Sequence, residues 1–396
     1  MRPGQPFPWS VIQHDKAVCR RGVLCDPRGV MEAARQELAR VRERAAWPEL
    51  GYEEGTDAEG RAYDRNGVRR AKVLWALQYD HGPADLALVR WIAEQEAWCR
   101  REAPFQGMTE ETELAGFLLA EHREVEDVWL HWRIKRANFD TWCGYDSQYL
   151  FAAGVQATVE FVRASDHEDR DAVLERLLTA EGEPFVSEEE LDEWRQSCRF
   201  STDPDDEDPL TWVERAKLAG EAEQARRELT DWASGKPRDK ATLSVLSYEW
   251  AELGDFAAAA LALRESVAFA DTAWDAASAW QRLAGLERQA GDADAAWQAL
   301  VECRRALDDV ANWQEVGLGR MYVEELFLLT AVAPADLAAT VFAEADHQAR
   351  DVPRLPLVVL RAAVDAALSV GDHASARRYR ELGDAEEERI RPDRKP

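Results

Sequence analysis

The chain has 396 residues, 46% of them hydrophobic and 32% charged, with a mean hydropathy of −0.48; this is enough apolar material for a sizeable core and excludes overall disorder. Its 76 Asp and Glu against 49 Lys and Arg give a formal charge of −27, which repels nucleic-acid phosphates and anionic membrane surfaces. No apolar run reaches the roughly 18 residues of a membrane-spanning helix, and residues 1–10 lack the order of a secretory signal, so a cytoplasmic protein with no membrane or nucleic-acid partner is expected.

Helical periodicity dominates the first half. Apolar spacing predicts helices over 30–46, 68–79, 84–101, 112–120, 147–163, 169–180 and 187–199. Val125, Val128, Trp129 and Trp132 mark another buried helix face at i, i+3, i+4 and i+7. Connectors near Gly82-Pro83, Arg123 and Asp166 recur at similar intervals, so residues 1–200 read as long, Trp-rich helical hairpins. Strand-like alternation is nowhere sustained, and the stretch 49–67, rich in Gly, Glu and Asp, is expected to be an exposed loop.

Six cysteines (Cys19, Cys25, Cys99, Cys143, Cys198, Cys303) form no Cys-x-x-Cys pair, and the seven histidines show no metal-binding spacing. Neither a zinc site nor a disulfide framework is expected, and the reading includes no cofactor. The most unusual stretch runs from Asn138 to Asp146, expected as an interhelical loop that brings Phe139, Trp142 and Tyr145 together with Asp140, Cys143 and Asp146. Two roles are open to it. It is either an aromatic plug whose acids cap helices, or a small-ligand or catalytic pocket with Cys143 as nucleophile and His131 as base.

Residues 201–209, with two prolines and a run of acids, lack the Gly and distant Glu of a calcium loop and read as a solvated linker. Beyond it, residues 210–396 are punctuated by Gly220-Glu221, Gly254-Asp255, Gly291-Asp292 and Gly371-Asp372, each between two Ala- and Leu-rich helical patterns. Glycine suits a left-handed exit from one helix, and the Asp after it can cap the next. The long gap before Gly371 leaves room for one further unit, near Ala333-Pro334-Ala335-Asp336.

Two units carry a recognisable packing pattern. Trp280, Leu283 and Ala284 precede Gly291-Asp292, with Ala296 and Leu300 after it; Leu243, Leu246, Ser247 and Trp250 precede Gly254-Asp255, with Ala259 and Leu263 after it. These positions resemble tetratricopeptide repeats over about residues 240–310. The resemblance implies an all-α superhelix, a solenoid of roughly eight antiparallel hairpins, with a concave groove lined by the first helix of each. Carried over by position, that groove presents Ser244, Tyr248, Gln281 and Arg288, which differ from the Lys and Asn clamp of the chaperone-binding members. Solvated surface is the competing reading of the same four residues. The expected function is a non-catalytic scaffold or adaptor that binds a protein or peptide, with its acidity suited to masking a basic partner. The alternative is an enzyme or ligand sensor built around Asp140 to Asp146.

Overall fold

A computed structural model describes residues 28–58, 60–102, 107–197 and 200–391. Cys19, Cys25, Cys198 and His14 lie outside them. The fold class is all-α, and the chain divides into two compact units, one up to Asp206 and one from Glu207. No helix among the described residues is long and apolar enough to cross a membrane.

The first unit begins with α1 (Arg28–Val41), followed after a 3₁₀ turn by β1 (Glu54–Thr56) and β2 (Ala62–Asp64). Then come α2 (Gly67–Asp80), α3 (Leu86–Glu102), α4 (Glu110–Glu121), α5 (Val128–Lys135), α6 (Phe139–Gly144), α7 (Val155–Ala164), α8 (Arg170–Leu177) and α9 (Glu188–Gln196). The segment expected as an exposed loop thus contains a short antiparallel hairpin, with Gly55 opposite Tyr63. Its anchor is Arg70 of α2, buried in the core. Arg70 donates to Asp64 at 2.5 Å, to Glu96 of α3 at 2.8 Å and to the Leu50 carbonyl at 3.0 Å. The second Glu96 oxygen accepts from Thr112 of α4 at 3.1 Å. Every charge in this cluster has a partner, which is the condition for burying it.

Two other expectations change. The helix expected over 147–163 is a 3₁₀ turn, Ser147–Phe151, followed by α7, because Gly154 adopts φ +112° between them. The loop expected at Asn138 to Asp146 is the helix α6. Its N-terminus is closed by a capping box, in which Asn138 accepts from the Thr141 amide at 2.8 Å and Thr141 Oγ1 from the Asn138 amide at 3.0 Å.

The second unit is a row of five hairpins: α10 (Pro209–Leu218) with α11 (Ala222–Ser234), α12 (Lys240–Glu252) with α13 (Phe256–Ser266), α14 (Ala273–Gln289) with α15 (Ala293–Asp308), α16 (Gly317–Val332) with α17 (Ala335–Asp351), and α18 (Leu357–Ser369) with α19 (His373–Ile390). Four turns share one construction. Gly220, Gly254, Gly291 and Gly371 have φ between +73° and +87°, and the residue after each donates back to a carbonyl in the last turn of the preceding helix, as Asp292 does to Glu287 at 2.9 Å. Asp255, Asp292 and Asp372 then cap α13, α15 and α19 through their side chains. The fifth turn, Ala333-Pro334, uses no glycine.

Neighbouring hairpins share one apolar core: Leu283 and Ala284 of α14, Leu300 and Cys303 of α15, Tyr322 and Leu326 of α16, and Leu360 and Ala363 of α18 belong to it. A Cβ on Gly291 meets nothing within 4 Å, so Gly291→Ala tests the backbone requirement alone. It is expected to lower stability by about 1–2 kcal/mol in urea unfolding without changing the helical circular-dichroism spectrum.

Candidate functional site

In the first unit, the residues singled out around α6 do not converge on one another. His131, on the inner face of α5, is fully buried. The Tyr145 hydroxyl and His131 Nδ1 share a 2.6 Å hydrogen bond, and the imidazole stacks on Tyr149 at 5.8 Å. Its Nε2 meets no hydrogen-bonding group among the described residues. Burial pushes the His131 pKa down to about 3 and the Tyr145 hydroxyl well above its usual range. Asp146 accepts from the Trp194 indole N–H at 3.1 Å. Cys143 is exposed on α6, and Asp140 is half-buried near the start of that helix. Among the described residues, no hydrogen bond joins His131 to Asp140, Cys143 or Asp146. Tyr145 stacks on Tyr149, Trp142 packs against Trp132 and Phe139 is exposed, so the three rings go to different places, and the nucleophile and base are not joined.

Lys135, one turn beyond His131, is the residue that the sequence analysis passed over. Its Nζ donates to the carbonyls of Trp142 at 3.0 Å and Tyr145 at 2.5 Å, so a cation sits on the C-terminal end of α6. Burial, reinforced by Arg176, brings its pKa down to about 8. Trp142 is exposed, with the Lys135 ammonium 5.7 Å and the Arg176 guanidinium 5.6 Å from its ring centre, and it packs edge-to-face with Trp132. A lysine four residues after a histidine on an apolar stripe was the available signal. Gly116 on α4 was not signalled at all: a Cβ there would stand 2.1 Å from the Tyr145 hydroxyl oxygen.

In the second unit, the four residues placed in a groove divide into two pairs. Ser244 and Tyr248 of α12 are exposed, and the Lys217 ammonium of α10 lies 5.7 Å from the Tyr248 ring centre. Gln281 and Arg288 of α14 are spent on packing. Gln281 is buried, and Arg288 donates to Glu325 of α16 at 2.6 Å. Burial pushes the Glu325 carboxyl up, partly offset by that bond. Lys217 likewise reaches Glu249 of α12 at 2.9 Å. These ion pairs lock the first helices of neighbouring hairpins together.

The exposed apolar side chains follow a rule. Leu218, Tyr248, Trp274, Met321 and Val358 place at least one on the first helix of each of the five hairpins, whereas only two of the second helices, α13 and α19, carry one, Leu261 and Leu382.

No protein-family model matches the chain, and no curated protein matches it in sequence.

Two tests follow for the first unit. Gly116→Ala is expected to destabilise the protein by about 1–3 kcal/mol in urea unfolding, because the new methyl must displace the Tyr145 ring. The unfolded chain protonates His131 near its usual pKa of 6.5, but the folded chain does so only near 3. Stability from the neutral ring is therefore complete above pH 6.5 and is lost as pH falls toward 3. His131→Gln should remove up to about 1.4 kcal/mol per pH unit of that dependence when unfolding is followed between the two values.

Proposed function

We propose that the chain is a scaffold that binds a protein or peptide along the first helices of the hairpins in its second unit. The observation that carries this reading is the placement of exposed apolar side chains on all five first helices, Tyr248 and Trp274 being the aromatic members. Exposed apolar side chains, the two aromatic rings above all, are unproductive in water and serve as anchors for a partner. The packing pattern around Gly254 and Gly291 resembles tetratricopeptide repeats, which supports the same reading, since such arrays bind along their first helices. The formal charge of −27 favours a basic partner and makes association sensitive to salt. Of the four positions first assigned to the groove, Ser244 and Tyr248 are available to a ligand, while Gln281 and Arg288 act through the packing of α14 on its neighbours.

The catalytic alternative draws no support from His131, Asp140, Cys143 and Asp146, whose contacts do not converge.

The test compares wild type with Tyr248→Ala/Trp274→Ala in capture from native lysate at low and high salt. Both rings are exposed, so the variant should keep its helical spectrum. Wild type is expected to retain a defined set of basic polypeptides at low salt, and the variant to lose at least about tenfold in affinity for them. Identical capture by both proteins, or none by either, would sink the proposal.

A further inference from the structure

On the last hairpin, a groove of about 370 Å³ runs between α18 and α19, floored by Leu357, Leu360 and Val364. Leu360 in this floor is buried in the core beside Val359, Ala363 and Ala366, whereas Leu357 and Val364 are half-buried. Gly383 leaves the α19 wall without a side chain between Arg380 and Asp384.

The charges along α19 are ordered in a way that a lone helix does not favour. Arg377, Arg380, Asp384 and Glu387 are spaced three, four and three residues apart, which places them in one stripe. All four are exposed, and among the described residues none forms an ion pair. An isolated helix gains from acids near its N-terminus and bases near its C-terminus, and this stripe has the opposite order. Other arginines nearby are paired: Arg378 with Asp346, and Arg389 with Glu386.

The stripe is, however, its own complement. If a second α19 lies antiparallel to the first, about a two-fold axis midway between Arg380 and Asp384, then Arg380 faces Asp384 and Arg377 faces Glu387, each pair occurring twice. A two-fold interface requires this kind of self-matching surface. We propose that the groove and the α19 stripe form a homodimer interface in which a second copy of this chain packs its α19 antiparallel onto the first. The half-buried Leu357 and Val364 supply burial, and the four reciprocal ion pairs set direction and register.

The 18 residues of α19 span about 27 Å, so two adjacent helices offer a footprint of roughly 500 Å² per partner. That lies near the lower limit for a specific interface and fits a weak, reversible dimer. The surface belongs to the last hairpin's outer side and not to Tyr248 or Trp274, so it can fail or succeed independently of partner binding.

The experiment is sedimentation velocity on the full chain across a concentration series, with Arg380→Asp and Asp384→Arg made separately. Wild type is expected to pass from monomer to dimer with concentration, and to dissociate more readily as salt is raised. Each single reversal places like charges opposite one another and should weaken the dimer at least about tenfold. Mixing the two variants in equal amounts should restore a dimer, because the all-acidic pair on one chain then faces the all-basic pair on the other. Both positions are exposed, and circular dichroism on the same samples reports that α19 is intact. A wild type that stays monomeric at about 200 micromolar, variants that dimerise like wild type, or a mixture that stays monomeric would each overturn the interface.

Discussion

A pair of antiparallel helices has two broad apolar faces and uses only one of them inside the pair. The other must be covered by a neighbour, or it faces water at about 25 cal/mol for every Å². In the second unit this requirement sets the order of everything else. Leu283 and Leu300 reach a common core with Tyr322 and Leu360 because no hairpin can bury them alone. The ion pairs Lys217–Glu249 and Arg288–Glu325 fall at the seams between hairpins, where they fix how neighbouring first helices meet. The first unit meets the same demand less regularly. Arg70, Asp64, Glu96 and Thr112 tie a small β-hairpin to three helices through a buried polar network in which each charge depends on the others.

Function in such a fold is a matter of which surface is left over. Buried groups with unusual protonation, such as His131 and Lys135, draw attention as chemistry, but their contacts explain them as structure. The imidazole fills a stack of rings, and the ammonium closes the end of a short helix. The rings of Tyr248 and Trp274 stand exposed on first helices, Tyr248 beside the Lys217 ammonium, and the proposed recognition rests on that exposure.

Much of this was legible in the residues. Glycine followed by aspartate encodes a turn and a cap within two positions, and the geometry at Gly254, Gly291 and Gly371 follows that code. What could not be read depended on residues far apart in the chain. The stretch 49–67 looks like solvent-exposed loop until Arg70 and Glu96 are folded beside Asp64. Asn138 and Thr141 held the capping signal for α6, but the density of aromatics and acids obscured it. Position alone could not separate Tyr248, open to solvent, from Arg288, which a glutamate of α16 occupies. Gly116 gave no signal because its reason is the Tyr145 ring on another element.

The five turns also differ in how freely they could be rebuilt. Around Gly220, Gly254, Gly291 and Gly371 the space beside the α-carbon is open, and each turn projects from the end of its hairpin. Ala333-Pro334 is shorter, and its proline fixes the backbone before folding begins. An array of this kind can accept extra residues, a tag or a whole inserted module at its glycine turns. The proline turn, one residue shorter than the glycine turns, is the connection in the array least suited to such an insertion.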